Sequence, residues 1–106
     1  MLRIKENVNL KELEKLGYKE REDFMMGLCY FKNITDKECK DEEYAEVHIA
    51  NCRETRVIGL GINIPYSRID KMTLNYYLDI YENNLFDLIQ AGLVEKGGKS
   101  DGETKN

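Results

Sequence analysis

Thr73-Leu74-Asn75-Tyr76-Tyr77-Leu78-Asp79-Ile80 decides the fold of this chain, because the stretch can be read with two periods. Leu74, Tyr76, Leu78 and Ile80 alternate with Asn75, Tyr77, Asp79 and then Tyr81, the period of two that marks a half-covered strand. Leu74, Leu78, Tyr81, Leu85, Leu88 and Ile89 also recur at steps of four and three, which is helical spacing. Tyrosine is enriched on pleated surfaces. Asn83-Asn84 sits poorly inside one long helix, because asparagine side chains compete for backbone hydrogen bonds. The sequence therefore predicts a strand over 73–80 and a separate short helix beginning after Asn84.

Downstream, Asn84 is placed to cap that helix and Asp87 to favour its first turn. Leu85, Leu88 and Ile89 form its core-facing side, Gly92 ends it, and Leu93 and Val94 pack back. Residues 96–106 contain no apolar side chain and read as a mobile polar tail on a folded unit of residues 1–95.

Upstream, residues 55–64 read as a strand. Ile58, Leu60, Ile62 and Ile64 line one face and Gly59 and Gly61 leave the other bare, until Pro65 ends the ladder. Residues 43–50 form its partner, with Ala45, Val47 and Ile49 inward and Glu46 and His48 on a wet face. Asn51-Cys52-Arg53-Glu54 is a turn of hairpin length. Residues 23–32 read as a third strand, Phe24, Met26, Leu28 and Tyr30 sharing a face. Residues 9–17 carry helix punctuation: Asn9 as N-cap, Glu12 completing a capping box, Leu10, Leu13 and Leu16 as the apolar stripe, and Gly17 as the left-handed stop. The expected fold is α+β: an antiparallel sheet of three to four strands with an N-terminal and a C-terminal helix packed on one face.

Charge limits the function classes. The chain has 106 residues and a net charge of −4. Asp36, Glu38, Asp41, Glu42, Glu43 and Glu46, against Lys37 and Lys40 alone, account for that whole excess. The basic footprint of a nucleic-acid-binding protein is missing. No apolar run has the length of a signal peptide or of a membrane span. Three cysteines are an odd number, which fits reduced thiols in a cytoplasm.

Cys29, Cys39, His48 and Cys52 collect every cysteine and the only histidine within 24 residues. Their spacing lacks the close ligand pairs of structural zinc sites, and only His48-x₃-Cys52 resembles half of one. A zinc- or thiol-dependent protein on these four residues is the alternative to a non-enzymatic reading. No cofactor motif is present: Gly59-Leu60-Gly61 lacks the third glycine of a dinucleotide fingerprint and the lysine of a phosphate loop. The acidic run lacks the spacing and turn glycine of a calcium loop. Tyr77 and Tyr81 share the outer face of the expected strand, and tyrosine is common at interaction hot spots. The acidic residues 36–46 together with Tyr77 and Tyr81 are the expected partner-binding surface, complementary to a basic groove on a protein. The chain itself is expected as a monomer or homodimer.

Leu2-Arg3-Ile4-Lys5-Glu6-Asn7-Val8-Asn9-Leu10-Lys11-Glu12-Leu13-Glu14-Lys15-Leu16-Gly17-Tyr18 resembles the opening of small uncharacterised proteins of phages and prophages of Gram-positive bacteria. Leu85-Phe86-Asp87-Leu88-Ile89-Gln90-Ala91-Gly92-Leu93-Val94-Glu95-Lys96 resembles their ending. The resemblance implies a phage accessory protein in a bacterial host cytoplasm. Genes of this type often encode proteins that bind and inhibit a host factor, including defence nucleases such as CRISPR effectors; transcription or structural accessory roles also occur.

Overall fold

The computed structural model describes residues 1–35, 43–65 and 69–97. Six strands form one sheet: β1 (Leu2–Ile4), β2 (Lys19–Asp23), β3 (Gly27–Asn33), β4 (Tyr44–Ala50), β5 (Val57–Asn63) and β6 (Val94–Lys96). Their spatial order is β2-β3-β4-β5-β1-β6, with every neighbouring pair antiparallel. A 3₁₀ helix spans Leu10–Leu16, and a single long helix, α1, spans Lys71–Gln90. The expected three to four strands are thus too few, and the expected short C-terminal helix is too short.

The stretch 73–80 is helical, not a strand. Asp70 caps α1: its side chain accepts the backbone N–H of Thr73 at 2.7 Å, and those bonds hold its carboxyl below the usual range. Tyr77, Tyr81, Leu85 and Leu88 turn inward along one continuous helix, and tertiary burial overrides the strand preference of the tyrosines. Asn84 caps nothing. It is buried within the helix, and its amide donates back to the Ile80 carbonyl at 2.9 Å, which satisfies it one turn upstream.

The expected strand 23–32 begins too early: residues 24–26 are a tight turn, only Gly27–Asn33 continues as β3, and a strand the sequence did not suggest, β2, precedes the turn. The Asp23 carboxylate accepts the N–H groups of Met25 (2.8 Å) and Met26 (3.0 Å), and Gly27 has φ +62°. This side-chain turn reverses the chain, so Phe24 and Met25 stand in solvent at 99% and 81% exposure rather than alternating in a sheet. β1 and β6 have three residues each, too few to show a period. They pair in register, Leu2 with Lys96 and Ile4 with Val94, so the last strand includes Lys96. Residues 98–106, expected as the tail, lie outside the described residues.

The N-terminal helix is of the 3₁₀ type. Asn9 accepts from the Lys11 N–H at 3.0 Å, Gly17 closes it at φ +97°, and the Glu12 carboxylate pairs with Lys15 at 3.3 Å instead of returning a bond to the cap. Arg56 then locks the N-terminal segment to the sheet, its guanidinium donating to the carbonyls of Lys5 (2.8 Å), Val8 (3.0 Å) and Cys52 (3.1 Å).

The core lies on one face of the sheet. Tyr30, Val47, Ile49 and Ile58 point there from β3, β4 and β5 and meet Leu13, Tyr18, Leu88 and Leu93. The strand period puts Arg21, Cys29, Phe31, Glu46, His48, Gly59 and Gly61 on the opposite, helix-free face.

Candidate functional site

Two surfaces hold unusual chemistry: the helix-free sheet face and the solvent side of α1. On the sheet face, Arg21 grips Glu46 with two parallel bonds, Nη1 to Oε1 at 3.1 Å and Nη2 to Oε2 at 2.9 Å. The guanidinium lies 4.4 Å from the centre of the Phe31 ring and 3.8 Å from the Asp23 carboxylate. His48 Nδ1 stands 3.3 Å from Glu46 Oε2. Its ring lies across β5, where a Cβ on Gly59 would come within 2.9 Å of Nε2 and one on Gly61 within 3.2 Å of Nδ1. The two glycines are therefore not bare; they make room for a neighbouring imidazole. Beside this cluster an open depression of about 370 Å³ is lined by Arg21, Asp23, Phe31, Asn33, Tyr44 and Glu46.

The two terminal nitrogens of Arg21 have acceptors within the chain, whereas its buried Nε has no hydrogen-bond partner and stands 3.8 Å from Asp23 Oδ2. The Arg21 fork is occupied by Glu46, and this bidentate bond, the leading cause, raises the guanidinium pKa further. Cys29 is fully buried on the same face, and desolvation pushes its thiol up despite the nearby Arg21. Cys52 lies on the core side, its thiol donating to the Ile49 carbonyl at 3.3 Å, and desolvation pushes it up to about 11. Both thiols are neutral near pH 7, the opposite of an activated nucleophile. Cys39 lies outside the described residues. Among the described residues, no group of three or more His, Cys, Asp or Glu side chains is arranged to hold a metal ion.

The residues of the expected partner surface do not come together as an exposed patch among the described residues. Asp36, Glu38, Asp41 and Glu42 lie outside the described residues. Glu43 and Glu46 are buried, at 8% and 5% exposure, and Glu46 is neutralised by Arg21. Tyr77 is 1% exposed and Tyr81 packs against the core, because the helix turns both inward. These four residues do not form an exposed patch.

A different patch is exposed. α1 carries eleven apolar or tyrosine residues in twenty, more than one face can bury. Tyr77, Leu88 and the shielded Tyr81 and Leu85 take the sheet side. Met72 and Phe86 stand in water at 80% and 58% exposure, Tyr76 and Ile89 are about half exposed, and Leu74 and Leu78 border the patch at 40% and 37%. Asp79, Glu82 and Asp87 are interspersed among them, and Lys71 is the only basic residue of the helix. The overlooked signal was the second apolar stripe, which appears only when 71–90 is read as one helix. Among the described residues, no helix is long and apolar enough to cross a membrane.

Comparison with known proteins adds no relative from which a role could be carried over: no protein-family model, no curated protein and no solved structure matches this chain.

Proposed function

We propose that the chain is a non-enzymatic binding protein that acts by contact with another protein through the solvent side of α1. The observation that carries this reading is the group of large apolar side chains on the outer side of one helix, Met72, Tyr76, Phe86 and Ile89 exposed and Leu74 and Leu78 partly so. Monomeric proteins seldom leave this many large apolar side chains together on one exposed face without a partner for them. Tyr76 and Phe86 supply aromatic anchors of the kind that dominate contact energies. The neutral, buried thiols and the Arg21–Glu46 pair weigh against the thiol- or zinc-dependent alternative.

The resemblance at both chain ends gives this reading its context: a phage accessory protein working in a bacterial cytoplasm, in its sharpest version an inhibitor of a host defence nuclease. Plaque counts on hosts with an active CRISPR defence test that version. The expected result is more plaques with the wild-type chain and none gained with Leu78→Asp/Phe86→Asp. Equal counts with empty vector, wild type and variant remove it.

A further inference from the structure

We propose that the partner meets α1 with a basic amphipathic helix, its Lys or Arg side chains reaching Asp79, Glu82 and Asp87 while its apolar residues cover Leu78 and Phe86; this rests on the contact surface proposed above. Three observations lead to it.

The first is where the carboxylates lie. At 3.6 residues per turn, Glu82 and Asp79 fall between Leu78 and Ile89 on one side and Met72 and Tyr76 on the other, with Phe86 among them. They are set inside the apolar strip, so whatever covers the strip must also cover them. A carboxylate buried without a cationic partner is strongly unfavourable. The covering surface must therefore bring positive charge.

The second is their pairing. On the sheet and the 3₁₀ helix, most carboxylates have cationic neighbours: Glu12 with Lys15, Glu14 with Lys11, Glu22 with Arg53, Asp23 and Glu46 with Arg21, Glu95 with Arg3; Glu20 on β2 is the exception. Among the described residues, Asp79, Glu82 and Asp87 have no ion-pair partner.

The third is the helix dipole. α1 has no acidic residue in its first turn, where Lys71 stands, and no basic residue in its last, where Asp87 stands. Asp87 opposes the macrodipole, which favours anions at the N-terminus and cations at the C-terminus; at the other end the Asp70 cap offsets Lys71. The C-terminal half of α1 is thus electronegative at some cost to its own stability, and a cationic partner relieves that cost.

A second copy of the chain is the wrong occupant on the same grounds. Two α1 helices packed through this strip would press Glu82 toward Glu82. An anionic bilayer surface is disfavoured for the same reason.

Fluorescence anisotropy on the full chain tests the proposal with three synthetic 18-residue amphipathic peptides. They share leucine positions and differ only in flanking lysine, glutamine or glutamate. The lysine peptide should bind at least about tenfold tighter than the glutamine peptide, and the glutamate peptide should not bind. Raising salt from about 50 to 200 mM should weaken the lysine complex several-fold. Glu82→Lys/Asp79→Lys should reverse the preference, and Leu78→Asp should abolish binding to all three. Equal, salt-independent binding of the lysine and glutamine peptides overturns the basic partner and leaves the contact surface standing. No binding of any peptide overturns it too, and plaque counts unchanged by Leu78→Asp then remove the contact surface as well. A dimer in sedimentation that Leu78→Asp dissociates overturns it in favour of a second copy.

Discussion

His48 and the two glycines beneath it act as one packing unit. The imidazole fills the space a β-carbon on Gly59 would take, 2.9 Å from Nε2. Gly59→Ala should destabilise the chain by about 1–3 kcal/mol through overpacking. Adding His48→Ala should recover most of that loss, and urea unfolding of the two single variants and the double variant measures the coupling. Arg21 and Glu46 form a second unit. The Glu46 side chain is 7% exposed and the Arg21 side chain 32%. Removing Arg21 strands a nearly buried carboxylate, a loss of about 2 kcal/mol once solvent around the guanidinium is allowed for. Arg21→Ala should therefore cost more than Arg21→Ala/Glu46→Ala. Cys52 adds a pH dependence. Its folded pKa, about 11, lies above the ordinary thiol value of 9.0. A raised pKa contributes stability that is complete below the unfolded value and is lost as pH rises through the folded one. The urea midpoint should therefore fall between about pH 9 and 11, and fall less in Cys52→Ala.

At the scale of elements, α1 and the β2–β3 hairpin depend on single carboxylates. Asp70 caps the helix and Asp23 forms the hairpin tip, and backbone N–H bonds hold both below the usual carboxylate range. A depressed pKa gives stability that is present above the unfolded value and lost as pH falls through the folded one. Asp23→Ala and Asp70→Ala should each lower the melting temperature at pH 7, and the gap to wild type should close in strong acid. The same two carboxylates explain where the sequence misled. Both sit outside the hydrophobic pattern, yet Asp23 turned the start of one expected strand into a hairpin tip and Asp70 began the helix that absorbed another. Strands β4 and β5, seven residues each with clear alternation, were legible. β1 and β6, at three residues, were not, because their pairing partners lie at opposite ends of the chain. The exposed patch on α1 is hidden when 73–80 is read as a strand: a strand places Tyr77 outward, whereas the helix buries it and exposes Tyr76.

For the whole molecule, the two sides of the sheet have different fates. One side carries the core; on the other Arg21 is engaged by Glu46 and Asp23, and α1 is the described surface that combines unpaired carboxylates with exposed apolar area. Its charge is also tuned against stability. Asp87→Lys should raise the melting temperature slightly, by relieving the unfavourable placement at the helix C-terminus, while weakening contact with a basic partner. A stabilised but inactive variant would separate function from folding. The central claim is that the outer side of α1 is where this protein meets its target. Photo-crosslinking in native host cells tests it most directly, with p-benzoylphenylalanine placed at Phe86 or, as control, at the exposed Lys11. The account predicts one discrete protein joined through position 86, absent at position 11 and lost on Leu78→Asp. The same products at both positions, or none at 86, would contradict it.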